Sequence, residues 1–125
     1  MDRPWIALYP DGVPAQVSTE GYQSLPDLIG QACRKHGQRR AAVFMGSDMS
    51  YTQLDRHADA VAAWIQAQGL PAGSHVAVMM PNVMAYLPVL VGVLRAGMVL
   101  VNVNPMYTAS ELRHQLEDEI GRAHV

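Results

Sequence analysis

His75-Val-Ala-Val-Met-Met80, Pro81-Asn82, an apolar run ending in Leu94-Arg-Ala-Gly97, then Met98-Val-Leu-Val-Asn-Val103 and Asn104-Pro-Met-Tyr-Thr108 form the stretch that decides the fold. Two short β-branched runs separated by a helix-length segment that ends in Gly have the pattern of a βαβ unit. The reading is α/β, with parallel strands at about 75–80 and 98–103 and flanking helices. Neither run alternates polar with apolar residues, so both strands are expected to be covered on two faces. Everything before His75 is expected to pack onto this unit.

Working outward towards the N-terminus, Ser24-Leu-Pro26-Asp27 carries a cap residue, an early Pro and a first-turn acid, which start a helix. Leu25, Leu28, Ile29 and Ala32 supply its apolar stripe and Gly37 stops it. Residues 41–51 predict a short hairpin, with strands at Ala41–Met45 and Met49–Tyr51 around a turn at Gly46-Ser47-Asp48. Thr52 with Asp55 reads as a capping box for a second helix, whose stripe is Leu54, Ala58, Val61, Ala62 and Ile65. Asn82 is expected to cap the helix of the central unit, and Pro88 to cost it one backbone hydrogen bond. Arg95 suits its C-terminal dipole and Gly97 supplies a left-handed cap. Thr108-Ala-Ser-Glu111 is another capping box, opening a last helix with Leu112 and Leu116 on its apolar side. Residues 1–23, with Trp5, Tyr9, Tyr22 and three Pro, read as an arm laid over the body and anchored by its aromatic rings.

The 125 residues are 50% hydrophobic and 16% charged, a globular rather than a disordered composition. A net charge of −2 gives no electrostatic footprint for nucleic acid, and only Arg34, Lys35, Arg39 and Arg40 cluster, at the end of a helix. The single Cys33 excludes an internal disulfide and suits a reducing compartment. The longest uncharged apolar stretch, Val83–Leu94, is 12 residues and is too short to span a bilayer. A cytoplasmic protein without a signal peptide is the expectation.

Chemistry is harder to find. No G-x-G occurs and the only lysine, Lys35, follows no Gly-rich loop, so the phosphate-binding patterns fail. The five His show no metal spacing, and one Cys cannot anchor a zinc site. Cys33 has no local base to make it a nucleophile and reads as a buried hydrophobe. Asp55 and Asp59, one helical turn apart, invite a catalytic pair, but no partner is visible in sequence and a solvated face explains them. One positional argument stands. Ligands of open α/β sheets bind beyond the carboxyl ends of the strands, which points to Pro81-Asn82 and to Asn104-Pro105-Met106-Tyr107-Thr108, although turn and cap roles account for the same residues.

The chain resembles the N-terminal end of bacterial long-chain fatty acid–CoA ligases, in the AMP-forming, adenylate-forming acyl-CoA synthetase superfamily. The landmarks are Trp5, Tyr9-Pro10, Val13-Pro14, Tyr22-Gln-Ser-Leu25 and Met49-Ser-Tyr-Thr-Gln-Leu54. Val76-Ala-Val-Met-Met-Pro-Asn82, Leu94-Arg-Ala-Gly97, Val101-Asn-Val-Asn-Pro105, Tyr107-Thr108 and Glu111-Leu112 carry it further. Gln53 stands where the family has Glu, and Pro88 is shifted by one place. The resemblance implies part of the N-terminal subdomain of the adenylate-forming fold, with residues 24–118 an incomplete AMP-binding domain. It implies a parent that activates a fatty acid with ATP and Mg2+ to acyl-AMP and transfers the acyl group to CoA. It also implies a cytoplasmic enzyme, peripheral to the inner membrane and homodimeric. None of the matching positions is catalytic, cofactor-binding or metal-binding in the family. No such residue is therefore assigned, no cofactor is expected on these residues alone, and the chain by itself is expected to be inactive. A different acid–CoA ligase of the superfamily and a short non-catalytic binding module are the alternatives.

Glu119-Ile-Gly-Arg-Ala-His-Val125 departs from this pattern. It back-translates as GAG-ATC-GGA-AGA-GCA-CAC-GTC, which after its first base is a common sequencing-adapter sequence. Residues 119–125 are therefore expected to be a non-native tail.

Overall fold

The computed structural model describes residues 3–119, and the tail beyond Glu119 lies outside the described residues. The helices are α1 (Leu25–His36), α2 (Tyr51–Gln66), α3 (Tyr86–Arg95) and α4 (Ala109–Glu119); the strands are β1 (Arg40–Phe44), β2 (Ser47–Ser50), β3 (His75–Met79) and β4 (Val99–Val103). β3 and β4 pair in parallel with His75 beside Val99 and Met79 beside Val103. The α/β architecture and the βαβ unit are as the sequence predicts.

α3 forms because Tyr86–Leu94 is apolar throughout, and none of its residues is fully exposed. Pro88 does not disturb it. The helix begins only two residues earlier, so the missing N–H falls in the first turn, where backbone donors have no helical partner. Asn82 does not cap it: Ala85 holds the N-cap position without a side-chain bond, and a turn in which Tyr86 N donates to Val83 O at 3.0 Å leads in. At the other end Gly97, at φ 79°, makes a Schellman cap. Its N–H donates to Leu94 O at 3.1 Å and that of Met98 to Val93 O at 3.2 Å, satisfying two of the last carbonyls.

α2 lies against α3, and the close approach is made at Gly92. A Cβ there would sit 2.6 Å from Cβ and Cγ1 of Val61 and 2.8 Å from the Ala58 carbonyl oxygen. Two packed clusters flank this crossing. Ala62, Ile65, Val78, Val93, Ala96 and Met98 join the helices to the sheet. Cys33, Met49, Leu54, Ala58 and Val91 join them to α1 and the hairpin. In α1 the buried line is Gly30 and Cys33 with Ile29 beside them, and the predicted stripe residues Leu25 and Leu28 stay 51% and 36% exposed.

The sheet is not covered as predicted. β4 is buried at Val101 and Val103, but β3 is buried only at Val78, with Ala77 and Met79 open on the other face. α4 packs against β4 and leaves that side of β3 bare, so continuous apolar character in β3 marks a surface that these residues do not fill. Beside β3, under Trp64 and Ile65, runs an apolar slot of about 590 Å³.

The hairpin turns at Met45-Gly46 rather than at residues 46–48. Both central residues have positive φ (47° and 81°), the two-residue geometry that matches the twist of the flanking strands. This brings β2 to an end at Ser50, and Ser50 rather than Thr52 caps α2. Its hydroxyl accepts from Gln53 N at 3.2 Å while Gln53 Oε1 accepts from Ser50 N at 2.8 Å. Gln53, the departure from the family's Glu, thus closes the capping box. Ser50→Ala should cost about 1 kcal/mol of stability and Thr52→Ala less than about 0.5 kcal/mol, as read from urea unfolding of the two variants. Equal losses would return the cap to Thr52.

In the arm, Pro4–Leu8 form a 3-10 helix, which the sequence reading did not anticipate. Trp5, Tyr9 and Tyr22 keep 52%, 42% and 45% of their surface exposed, and Tyr22 lines a hollow along α1 with Leu28 and Gln31.

Candidate functional site

The parallel register places the ends of β3 and β4 side by side, and this brings the two loops singled out by position together. They enclose a crevice of about 390 Å³ whose polar lining is Asn82, Tyr86, Asn102, Asn104 and Tyr107. Met80 and Val103 contribute apolar wall. Each polar group is set by local structure. Asn104 Oδ1 accepts from Met106 N at 3.0 Å, the turn role expected of it, which leaves its amide group free of that bond. The Tyr86 hydroxyl, from the first turn of α3, hydrogen-bonds Asn102 Oδ1. Gln115 of α4 donates to the Asn102 carbonyl at 2.9 Å, while its own Oε1 is buried without a partner among the described residues.

Thr108 closes the crevice loop and caps α4 as predicted. Its backbone N–H and hydroxyl both donate to Glu111 Oε2, at 2.8 and 2.7 Å. These two bonds hold the Glu111 carboxyl below the usual carboxylate range. A folded-state value lower than the unfolded one stabilises above the unfolded value, near pH 4.3, and the contribution disappears as pH falls through the folded value. Thr108→Val should move the Glu111 carboxyl titration, followed by NMR, back up towards the ordinary range. An unmoved titration would mean that the box does not hold the carboxylate.

The other candidates resolve into structure. Asp55 and Asp59 are not merely a solvated face: Arg95 reaches across from α3 and pairs with both, at 2.5 and 2.7 Å, and also donates to the Asp55 carbonyl at 3.1 Å. Burial works against the Arg95 charge and the bonds to Asp55 and Asp59 outweigh it, so the guanidinium is held charged. Cys33 is buried, and burial followed by the nearby Asp55 carboxylate pushes its thiol up, away from nucleophilic use. A second hollow, of about 520 Å³, lies along α1 between Tyr22 and the basic pair Arg34 and Lys35. Among the described residues no group of His, Cys, Asp or Glu is placed to hold a metal ion. The sequence reading missed the Arg95 clamp and the Tyr86–Asn102 bond, because both join residues on different elements and neither has a local pattern.

Residues 29–123 match the model of a protein family described as "AMP-binding enzyme". The chain belongs to the AMP-binding enzyme family. A long-chain-fatty-acid–CoA ligase of Salmonella typhimurium is 44% identical over 119 residues, which is 94% of this chain and 21% of that protein. The chain therefore spans about a fifth of the length of the curated relatives that it matches. Among solved structures, the apo form of MbtA from Mycobacterium smegmatis superposes with a TM-score of 0.71 at 35% identity, over 76% of this chain and 18% of its own. NpsA-ThdA, an artificially fused adenylation–PCP di-domain from Klebsiella oxytoca, gives 0.74 at 22% identity, over 77% and 18%. The α/β fold is thus that of the N-terminal subdomain of adenylate-forming enzymes, and the crevice lies at the end of its parallel pair.

Proposed function

We propose that the chain is the N-terminal part of an AMP-forming long-chain fatty acid–CoA ligase. The observation that carries this reading is the identity to such ligases along almost the whole chain. In the proposed reaction the fatty carboxylate attacks the α-phosphate of ATP, releasing pyrophosphate. The CoA thiol then attacks the acyl-adenylate carbonyl, forming the thioester and releasing AMP. Mg2+ offsets charge on the triphosphate when bound. The described residues do not fit it: no carboxylate cluster is available and the crevice carries no cation for phosphates. No step of adenylation is derived from them, and residues 1–125 alone are proposed to be inactive. The role left to this segment is to build one wall of the site and to carry the crevice at its strand ends.

The same reading brings a cytoplasmic, homodimeric enzyme with peripheral contact to the inner membrane. Among the described residues no helix is long and apolar enough to cross a bilayer. The test is to express the longer polypeptide that carries this segment and assay palmitate-dependent pyrophosphate exchange, followed by CoA-dependent thioester formation. Exchange with a fatty acid supports the proposal. Exchange only with aromatic or short acids would replace the substrate class, and no exchange with any acid would end the enzyme reading.

A further inference from the structure

We infer that the outer face of α1 is the surface through which the protein docks on an anionic lipid bilayer. The inference rests on the ligase reading for a fatty substrate, and names the residues that make the peripheral contact. It starts from the leucines that turn the other way. α1 packs Ile29, Gly30 and Cys33 inwards, while Leu25 and Leu28 stay 51% and 36% exposed. At about 100° per residue, Leu28, Gln31 and Lys35 fall opposite the buried line. Tyr22 belongs to the same surface, since it lines the hollow of about 520 Å³ together with Leu28, Gln31, Arg34 and Lys35. The Gln31 amide donates to the Gly21 carbonyl at 3.3 Å, which ties that end of the arm to the helix.

The charges on α1 are sorted along it. Asp27, in the first turn, is occupied: its carboxylate accepts from Gln23 N at 3.2 Å and from the Gln31 amide at 3.0 Å. Arg34 and Lys35 stand in the last turn, both exposed. Arg40, further on, holds Asp48 at 3.0 Å and is not counted. Leucines followed by cations on one exposed face are the make-up of a helix that lies in the plane of a bilayer surface. Leu25 and Leu28 then reach the boundary between headgroups and acyl chains, and a phenol such as Tyr22 suits the headgroup level. Arg34 and Lys35 lay their stems on apolar surface and hold their charges against lipid phosphates. Fatty acids reside in the same layer, so docking by this face brings a ligase to its substrate.

The test sediments the longer polypeptide that carries this segment with vesicles of phosphatidylcholine, alone or mixed with phosphatidylglycerol. The parent should bind the mixed vesicles more tightly, and added salt should remove the difference. Lys35→Gln should weaken binding to the mixed vesicles by about fivefold, the share of one cation at an anionic surface. Leu25→Ser with Leu28→Ser should weaken binding to both kinds of vesicle by about tenfold. Met106→Ser, at a site 85% exposed on another loop, should change neither. Circular dichroism keeps loss of folding apart from loss of docking, and Lys35→Gln carries the test if the leucine pair fails to fold. A parent that stays off every vesicle overturns the inference and leaves this face to an acidic protein partner. Variants that bind as the parent does overturn it by moving the docking surface elsewhere, and a lysine effect with silent leucines overturns it by reducing the contact to adsorbed charge. Pyrophosphate exchange on the same preparations judges the ligase reading separately: a parent that exchanges but does not dock loses only the inference, and one that docks but exchanges with no acid loses only the ligase reading.

Discussion

Replacing Gly92 by alanine is expected to produce the largest loss of stability of any single methyl added to this chain. The new Cβ would lie 2.6 Å from two carbons of Val61 and 2.8 Å from the Ala58 carbonyl oxygen. The oxygen is backbone in the middle of α2 and cannot turn aside, so α2 and α3 must separate. Both core clusters depend on that crossing, since Ala62 and Ile65 meet Val93 on one side and Ala58 meets Val91 on the other. Overpacking of this kind costs about 3 kcal/mol, or roughly a 10 °C fall in melting temperature for a chain of this size. Val61→Ala removes Cγ1 but leaves Cβ and the Ala58 oxygen in place, so the double variant should recover only part of the loss. The check is thermal unfolding followed by circular dichroism. A Gly92→Ala variant that melts within a degree or two of the parent would show that the helices are not held at this distance.

Arg95→Met carries the second large effect. The Arg95 side chain is 15% exposed and holds Asp55, 41% exposed, and Asp59, 68% exposed. Methionine keeps the stem but leaves the Asp55 carboxylate half-buried without its cation. Breaking a fully buried pair costs about 3–5 kcal/mol, and the solvent that reaches both carboxylates screens this to about 2 kcal/mol. Asp59→Ala, which removes only the exposed arm of the clamp, should cost less than about 0.5 kcal/mol. Urea unfolding of the two variants separates them. Equal losses would mean that the clamp is shared evenly and that the burial of Asp55 is not what matters.

Both effects act through contacts absent from any local pattern, which explains what the sequence yields and what it hides. Ser24, Pro26 and Gly37 mark α1 because caps and stops are made within a few residues of themselves. Leu94-Arg-Ala-Gly97 marks the end of α3 for the same reason. The Ser50 cap was misplaced by two residues because the turn at Met45-Gly46 is tighter than a Gly-Ser-Asp turn, and a non-glycine residue takes a left-handed conformation there. Arg95 finds Asp55 at a separation of 40 residues and Asp59 at 36, so neither was visible without the helix crossing. Gly92 shows nothing in sequence beyond a small residue in an apolar run. The crevice was legible in part: its position followed from a general rule for open sheets, while Tyr86, from α3, came only with the fold.

The slot under Trp64 makes the chain its own optical gauge. The indole is 66% exposed at the rim of an apolar hollow beside β3. Whatever strand comes to lie there would take water from that ring before it touched much else, and tryptophan emission moves to shorter wavelength as water leaves. With Trp5 changed to Phe, a single emission maximum would then distinguish a bare β3 flank from a covered one, in this chain or in any longer polypeptide that contains it.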